Sequence, residues 1–194
     1  MGYIFMRVCV TGATGFISRS LSSFLLAQGN TVRAVVRSAA SILSAEGLDV
    51  VEVDGLDGKT DLSTALAGQQ IVIHTAARTH IMKDEVSDPL MEYRRVNVDG
   101  SINLARQAAE AGVKRFIFIS SIKVNGEGTL LGRPFLPEDS PAPEDFYGIS
   151  KCEAEVGLLK LAAESGMEVV IIRPPLVYGP GVKANFASMV GWLK

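Results

Sequence analysis

The sequence predicts an α/β protein built on a doubly wound parallel sheet. Two observations carry that prediction. Short β-branched runs alternate with longer stretches of helical periodicity along the chain. Nearly all of those runs are continuously apolar, as strands are when helices cover both faces of a sheet.

Taken in order, the first strand is read at Arg7–Val10 and is followed, after a glycine-bearing turn, by a helix over Phe16–Gln28. Within it Ile17, Leu21, Phe24 and Leu25 repeat at helical spacing, and Gly29 marks the stop. Strands follow at Val32–Val36 and Val50–Val53, a short helix at Asp61–Leu66 and a fourth strand at Ile71–His74. Tyr93–Ala111 reads as a helix with Val98, Ile102, Ala105 and Ala108 in period, ended by Gly112. After a fifth strand at Arg115–Ile119, the Gly- and Pro-rich segment Gly126–Asp145 reads as a long loop, and loops of that length usually serve function. A helix over Tyr147–Ser165 and a sixth strand at Glu168–Ile172 complete the alternation. Pro174 and Pro175 break that strand, and Gly179-Pro180-Gly181 makes a turn before a last apolar piece that stops abruptly at Lys194, as in a truncated chain.

Composition narrows the function classes. The chain of 194 residues is 47% hydrophobic and 21% charged, ordinary for one globular domain that needs no staples. A net charge of −2, with Lys and Arg scattered singly, gives nucleic acid no basic stripe to bind. No apolar run approaches the roughly 20 residues that span a bilayer, and Met1–Met6 lacks the features of a signal peptide. Cys9 and Cys152 have neither metal-ligand spacing nor framework partners, so no metal is expected and a reduced, cytoplasmic setting is.

The chemistry begins at Val10-Thr11-Gly12-Ala13-Thr14-Gly15-Phe16-Ile17-Ser18, which joins the first strand to the first helix. Gly12 permits a tight turn, and Gly15 removes a Cβ where backbone must approach a pyrophosphate. Amides at the helix N-terminus then face the phosphates. Glycine spacing alone is weak; its place between a buried strand and an amphipathic helix makes it a dinucleotide cradle of a Rossmann fold. Ser18 replaces the third glycine of the pattern, a mild departure. The second strand ends in Arg37-Ser38 rather than in an acid for the ribose hydroxyls. A guanidinium suits a 2′-phosphate, so NADP is favoured over NAD; Arg33 points the same way more weakly, and the alternative is that Arg37 lies over the adenine or faces solvent. Asp54, with Asp61 as rival, is placed to meet the adenine amino group. Ala76 and Ala77 are small enough for a nicotinamide ribose to pack on backbone. His74 reads as a buried, hydrogen-bonded core residue.

Tyr147 and Lys151 stand at i and i+4 on one helical face. A free phenol, with a pKa near 10, is a poor base; lowering it by roughly three units takes about 4 kcal/mol, which the lysine and a positive nicotinamide ring are expected to supply. Tyr147 then exchanges a proton with a substrate oxygen as hydride moves. A Tyr-x-x-x-Lys pair is common by chance, and gains weight here from the cradle and from Ser120-Ser121 at the end of the fifth strand. Ser121 is assigned the hydrogen bond to the reacting oxygen, with Ser120 the runner-up.

With TGATGFI (11–17), VIHTAA (72–77), RVNVDG (95–100), FISS (118–121), YGISK (147–151) and RPPLVYGPG (173–181) in that order, the chain resembles the extended short-chain dehydrogenase/reductases, the NAD-dependent epimerase/dehydratase group. The resemblance implies that Gly12, Thr14, Gly15, Phe16 and Ile17 line the cradle, that Lys151 also bonds the nicotinamide ribose, and that Pro174 to Val177 approach the carboxamide. It implies a mainly structural role for Asn97. Asn185 is similar to an asparagine that contacts a nucleotide-sugar diphosphate in relatives; Arg78 and His80 are further substrate-side candidates. It sets residues 1–181 as the NAD(P)-binding domain and 182–194 as the start of a substrate-binding region whose remainder lies outside the chain. Sugar dehydratases of the group carry an acidic pair where Ile122-Lys123 follows Ser121 here, which disfavours dehydration, and Val124-Asn125-Gly126 replaces the usual VYG.

The expected activity is therefore hydride transfer at C4 of a nucleotide sugar, by a UDP-hexose 4-epimerase or a 4-ketoreductase. An NADPH-dependent small-carbonyl reductase like the dihydroflavonol reductases, and a non-catalytic dinucleotide sensor, are the alternatives. A homodimer through Ala108, Ala109, Leu158, Leu159 and Ala162 is a further expectation, though these residues could equally be core.

Overall fold

The computed structural model describes residues 5–42, 44–79, 87–129, 131–179 and 182. Six strands, β1 (Arg7–Thr11), β2 (Thr31–Val36), β3 (Leu48–Glu52), β4 (Ile71–His74), β5 (Arg115–Ile119) and β6 (Glu168–Ile172), form one sheet. Their order is β3-β2-β1-β4-β5-β6, and every pairing is parallel. The chain thus winds outwards from β1 in one direction and then, from β4, in the other. The crevice where that direction reverses, at the carboxyl ends of β1 and β4, is where open α/β sheets bind ligands. The doubly wound sheet read from the sequence is this sheet, and the strand positions differ only at their ends.

Alternate residues feed two cores. On one face Val8, Val10, Val32, Ala34, Val36 and Ile73 pack under Leu21, Leu25 and Leu26 of α1 (Phe16–Ala27). On the other, Cys9, Val35, Val72, Phe116 and Phe118 meet residues of α2 (Ser63–Leu66), α4 (Gly100–Glu110) and α5 (Phe146–Ser165). Phe24 does not join Leu21 and Leu25, which are half-buried against the sheet; it is exposed, and Ile17 is half-buried. Gly29 and Gly112 follow the ends of α1 and α4 at φ of 81° and 78°, left-handed stops as expected.

The helix expected from Tyr93 is longer and less regular. It opens at α3 (Pro89–Tyr93), where Pro89 takes the first turn and the Asp88 carboxylate accepts from the Met91 amide at 3.0 Å. It then passes through a π-helical stretch, Arg94–Asp99, before α4. The wider turn shifts the buried stripe. Val98 and Ile102 are only half-buried, while Asn97, Ser101, Leu104, Ala105 and Ala108 are inside. Of the residues expected at a dimer face, Ala108 and Leu158 are therefore core, and Leu159 is exposed. Cys9 and Cys152 are free thiols. Among the described residues no helix is long and apolar enough to cross a membrane.

Candidate active site

At the end of β1 the backbone turns through Gly12 at φ 65°, packed so closely that a Cβ there would lie 2.8 Å from the Cα of Ala76. Gly12 is required twice, by its conformation and by the proximity of the segment after β4. Gly15 caps α1 with no side-chain hydrogen bond, and Thr14, Gly15 and Phe16 are exposed, so the first-turn amides face the crevice. Ser18 does more than substitute for a glycine. Its hydroxyl donates to the Gly12 carbonyl at 2.6 Å and lies 2.7 Å from the Thr75 hydroxyl, which itself donates to the Thr11 carbonyl at 2.6 Å. The cradle is thereby pinned to the end of β4.

His74 is the core residue expected. The Ser101 hydroxyl gives its proton to the Asn97 carbonyl (2.7 Å), so it accepts from His74 Nε2 (2.9 Å), and Nδ1 accepts from the Thr11 hydroxyl (2.6 Å). Burial drives its pKa down to about 3, and the nearby Lys151 charge adds to the shift. Both nitrogens are committed and the ring is neutral.

Beyond it, Ala76 and Ala77 are half-buried, and Ala76 lies against the cradle at Gly12. Asn97 fixes their continuation: its side chain accepts from the Arg78 amide at 2.8 Å and donates to the Arg78 carbonyl at 3.0 Å and to the Ser150 hydroxyl of α5 at 2.9 Å. The Arg78 guanidinium lies 5.5 Å from the centroid of the Tyr93 ring, and Tyr93 meets Tyr147 edge-on at 6.4 Å. Tyr93 is a site neighbour that sequence reading missed; it stood only as the first residue of an expected helix.

The two serines after β5 separate clearly. Ser120 is buried and donates to the Glu155 carboxylate of α5, so it is spent on a structural bond. Ser121 is half-buried at the crevice end of β5, where its Oγ accepts from the Lys123 amide at 3.3 Å. The short turn Ile122–Val124 that follows lies directly against the first turn of α5: a Cβ on Gly148 would lie 2.9 Å from the Lys123 carbonyl. Asp145 completes the junction, its Oδ1 accepting from the Gly148 amide at 2.6 Å and its Oδ2 from Lys123 Nζ at 2.6 Å. The geometry thus brings the turn after Ser121 against the helix turn that carries Tyr147.

The electrostatics depart from expectation. Burial, with the Asp145 carboxylate and the neighbouring Tyr93 phenol behind it, raises the Tyr147 phenol above its usual value, and Lys123 pulls the other way. Lys151 is a weaker source of charge than expected. Its amine lies 4.0 Å from the Phe118 ring centroid, wholly buried, and burial drives its own pKa down to about 7 against support from Glu155. A lysine turned onto an aromatic ring in the core has less charge to offer a phenol one turn away.

Arg37 is exposed at the carboxyl end of β2, which is compatible both with a 2′-phosphate contact and with the alternative that it faces solvent. Arg33 is not available for that task. Its Nε pairs with Asp49 at 2.7 Å, and Nη1 donates to the carbonyls of Thr64 and Ala67 at 3.0 and 2.9 Å. Asp54 is exposed after β3; its rival Asp61 is occupied with the Ser63 amide at 2.9 Å. Pro174 and Val177 follow β6, the Pro174 carbonyl accepting from Ile122 at 3.0 Å. Asn185 and His80 lie outside the described residues.

A site so arranged, with a cradle, a tyrosine and lysine on one helix and a serine at a strand end, agrees with the sequence profile of the NAD dependent epimerase/dehydratase family, which matches residues 8–191. The chain belongs to that family. This family member is 53% identical over 184 residues to a UDP-glucose 4-epimerase of Vibrio cholerae, covering 94% of this chain and 55% of that one. It is 34% identical over 201 residues to a dihydroflavonol 4-reductase of Hordeum vulgare, covering 92% of this chain and 55% of the other. Among solved structures it resembles MoeE5 in complex with UDP-glucose and NAD, at 31% identity and a TM-score of 0.79, over 94% of this chain and 59% of that one. The chain spans about half the length of the curated relatives it matches. The open α1 N-terminus, the close approach of Gly12 to Ala76 and the exposed Thr14 and Gly15 fit the dinucleotide that the family name implies.

Proposed function

We propose that the protein binds a nicotinamide dinucleotide across the carboxyl ends of β2, β1 and β4 and exchanges hydride with it at C4 of a UDP-hexose, as a 4-epimerase. Gly12, Thr14, Gly15, Phe16 and Ile17 would hold the pyrophosphate, and Asp54 the adenine. Ala76, Ala77, Lys151, Pro174 and Val177 would surround the nicotinamide riboside. When bound, the dinucleotide would supply the hydride acceptor. Ser121 donates a hydrogen bond to the reacting oxygen, Tyr147 takes that oxygen's proton or returns it, and Arg78, stacked on Tyr93, faces the sugar side. Asn185 is proposed as a contact to the sugar diphosphate. The observation that carries this reading is the abutment of the Ser121 turn and the Tyr147 turn at the crevice end of the sheet. The 53% identity to a UDP-glucose 4-epimerase supports the choice of sugar chemistry.

Arg37 favours a second reading, a 4-ketoreductase that takes hydride from NADPH, because a guanidinium at the end of β2 suits a 2′-phosphate. Both readings are tested together. The protein is incubated with UDP-galactose or UDP-glucose without added cofactor, and with UDP-4-keto sugars plus NADH or NADPH. Interconversion without added cofactor supports the epimerase; turnover only with NADPH supports the reductase. Dinucleotide binding with no hydride exchange on any of these substrates overturns both.

A further inference from the structure

One buried charge cluster lies outside the Tyr/Lys/Ser set. Glu155 sits on α5 one helical turn beyond Lys151, its side chain only 5% exposed. Its carboxylate accepts from the Ser120 hydroxyl and from Arg173 Nε and Nη2 at 3.0 and 2.6 Å. Arg173 in turn donates from Nη1 to the Asn125 side chain at 3.2 Å. The cluster therefore joins α5 to the end of β5, to the turn after Ser121 and to the first residue after β6. Backbone bonds run beside it, from the Ser120 amide to Ile172 at 2.7 Å and from the Ile122 amide to Pro174 at 3.0 Å.

Buried ion pairs are poor stabilisers, because desolvation offsets most of their attraction, and apolar pairs of similar volume often serve the fold as well. Stability alone thus gives little reason for a carboxylate here. We infer that Glu155 is a positioning residue for Lys151: held by Ser120 and Arg173, it fixes the helix carrying Tyr147 and Lys151 against the ends of β5 and β6 and sets a negative charge one helical turn from the buried lysine. Among the described residues, the titratable groups coupled to that amine are Glu155 on its own helix and His74 from β4; Arg173 pairs with Glu155, the Cys152 thiol feels both of these, and Phe118 of β5 adds a ring. His74 is neutral, so among the described residues Glu155 provides the anionic support, and it raises the Lys151 pKa against burial.

The inference rests on the dinucleotide reading, since Lys151 as an ammonium is what would grip ribose hydroxyls. The test is the dissociation constant for NADH and NADPH, read by fluorescence between pH 5.5 and 9, for wild type, Glu155→Gln, Glu155→Asp and the double variant Glu155→Gln/Arg173→Gln. Wild-type affinity is expected to weaken as pH rises through the lysine titration. In Glu155→Gln the midpoint moves lower, by about 1 unit, because the ammonium form loses a nearby opposite charge. Glu155→Asp keeps it close to wild type. The double variant leaves no orphaned arginine and shows the same downward shift, so a folding defect of the single variant does not decide the matter. Absence of binding by wild type at every pH defeats the dinucleotide reading itself. Binding with coincident midpoints, a wild-type curve flat with pH, or a uniform loss at all pH values leaves that reading intact and overturns the role of Glu155.

Discussion

The Tyr147 phenol is raised by burial and by the Asp145 carboxylate, so proton transfer depends on charge brought by ligands rather than on a standing phenolate. Removing the hydroxyl removes the transfer and little else. Tyr147→Phe is expected to lower kcat by about 10²–10⁴-fold, the usual worth of a positioned acid–base group, while the dinucleotide dissociation constant stays within about threefold. Stopped-flow turnover beside equilibrium binding checks both halves, and wild-type-like turnover would remove Tyr147 from the mechanism. Gly12 gives a second prediction at this scale. Its φ of 65° and the 2.8 Å approach of a Cβ to the Ala76 backbone leave no tolerance for a side chain. Gly12→Ala is expected to cost about 1–3 kcal/mol in strain and to abolish dinucleotide binding, seen as a lower Tm and a flat titration. Both residues were legible in the sequence, since glycine spacing and the Tyr-x-x-x-Lys pair are local signals. The phenol's raised pKa was not. It depends first on burial and then on Asp145 and Tyr93, and neither the burial nor the approach of Tyr93 is written in local spacing.

At the scale of elements, α5 is set by its N-cap. Asp145 caps Gly148 and grips Lys123, so one carboxylate fixes both the start of the helix and its distance from the Ser121 turn. Asp145→Asn retains capping capacity but loses the charge. With the anion gone, the Tyr147 pKa falls, and the pH limb of oxidative turnover moves to lower pH; a limb that stays put or moves upward would contradict the assignment. Asp145→Ala loses the cap as well, a cost of about 1 kcal/mol. For a chain of this size that is a Tm drop of about 2–4 °C. The strands and the long helices were readable because apolar runs and helical periods are written in consecutive residues. The π-helical stretch Arg94–Asp99 was not, because nothing in RVNVDG distinguishes a π turn from an α turn. Its consequence is local and chemical. It brings Asn97 inward to hold Arg78 and Ser150, a polar residue that takes an apolar stripe's place by making three side-chain hydrogen bonds. Arg33 and Arg37 show the same limit. Both lie on or just after β2, yet the pairing of Arg33 with Asp49 is a cross-strand fact visible only once β2 and β3 are in register.

For the whole molecule, the site is held at a cost to stability, and the cost has a pH signature. The Lys151 pKa falls from 10.5 to about 7 on folding, chiefly through burial. Between those values the unfolded chain binds a proton that the folded chain does not, so stability rises with pH across that window. The contribution is complete above 10.5 and lost as pH falls to about 7, below which the folded protein carries the whole penalty of a buried ammonium. His74 acts in the same sense at lower pH: its pKa drops from 6.5 to about 3, so stability declines again as pH falls below 6.5. Lys151→Met keeps the stem that packs on Phe118 and deletes the charge. Its Tm at pH 7 is expected to exceed that of wild type, by about 2–4 °C for each kcal/mol recovered. The difference should narrow as both proteins are taken towards pH 10, while dinucleotide affinity is lost throughout. Thermal melts of the two proteins at half-unit intervals from pH 6 to 10 measure the effect. A Met variant that melts below wild type at pH 7, or that keeps the wild-type slope with pH, would show that the lysine is not held in the core at the expense of the fold.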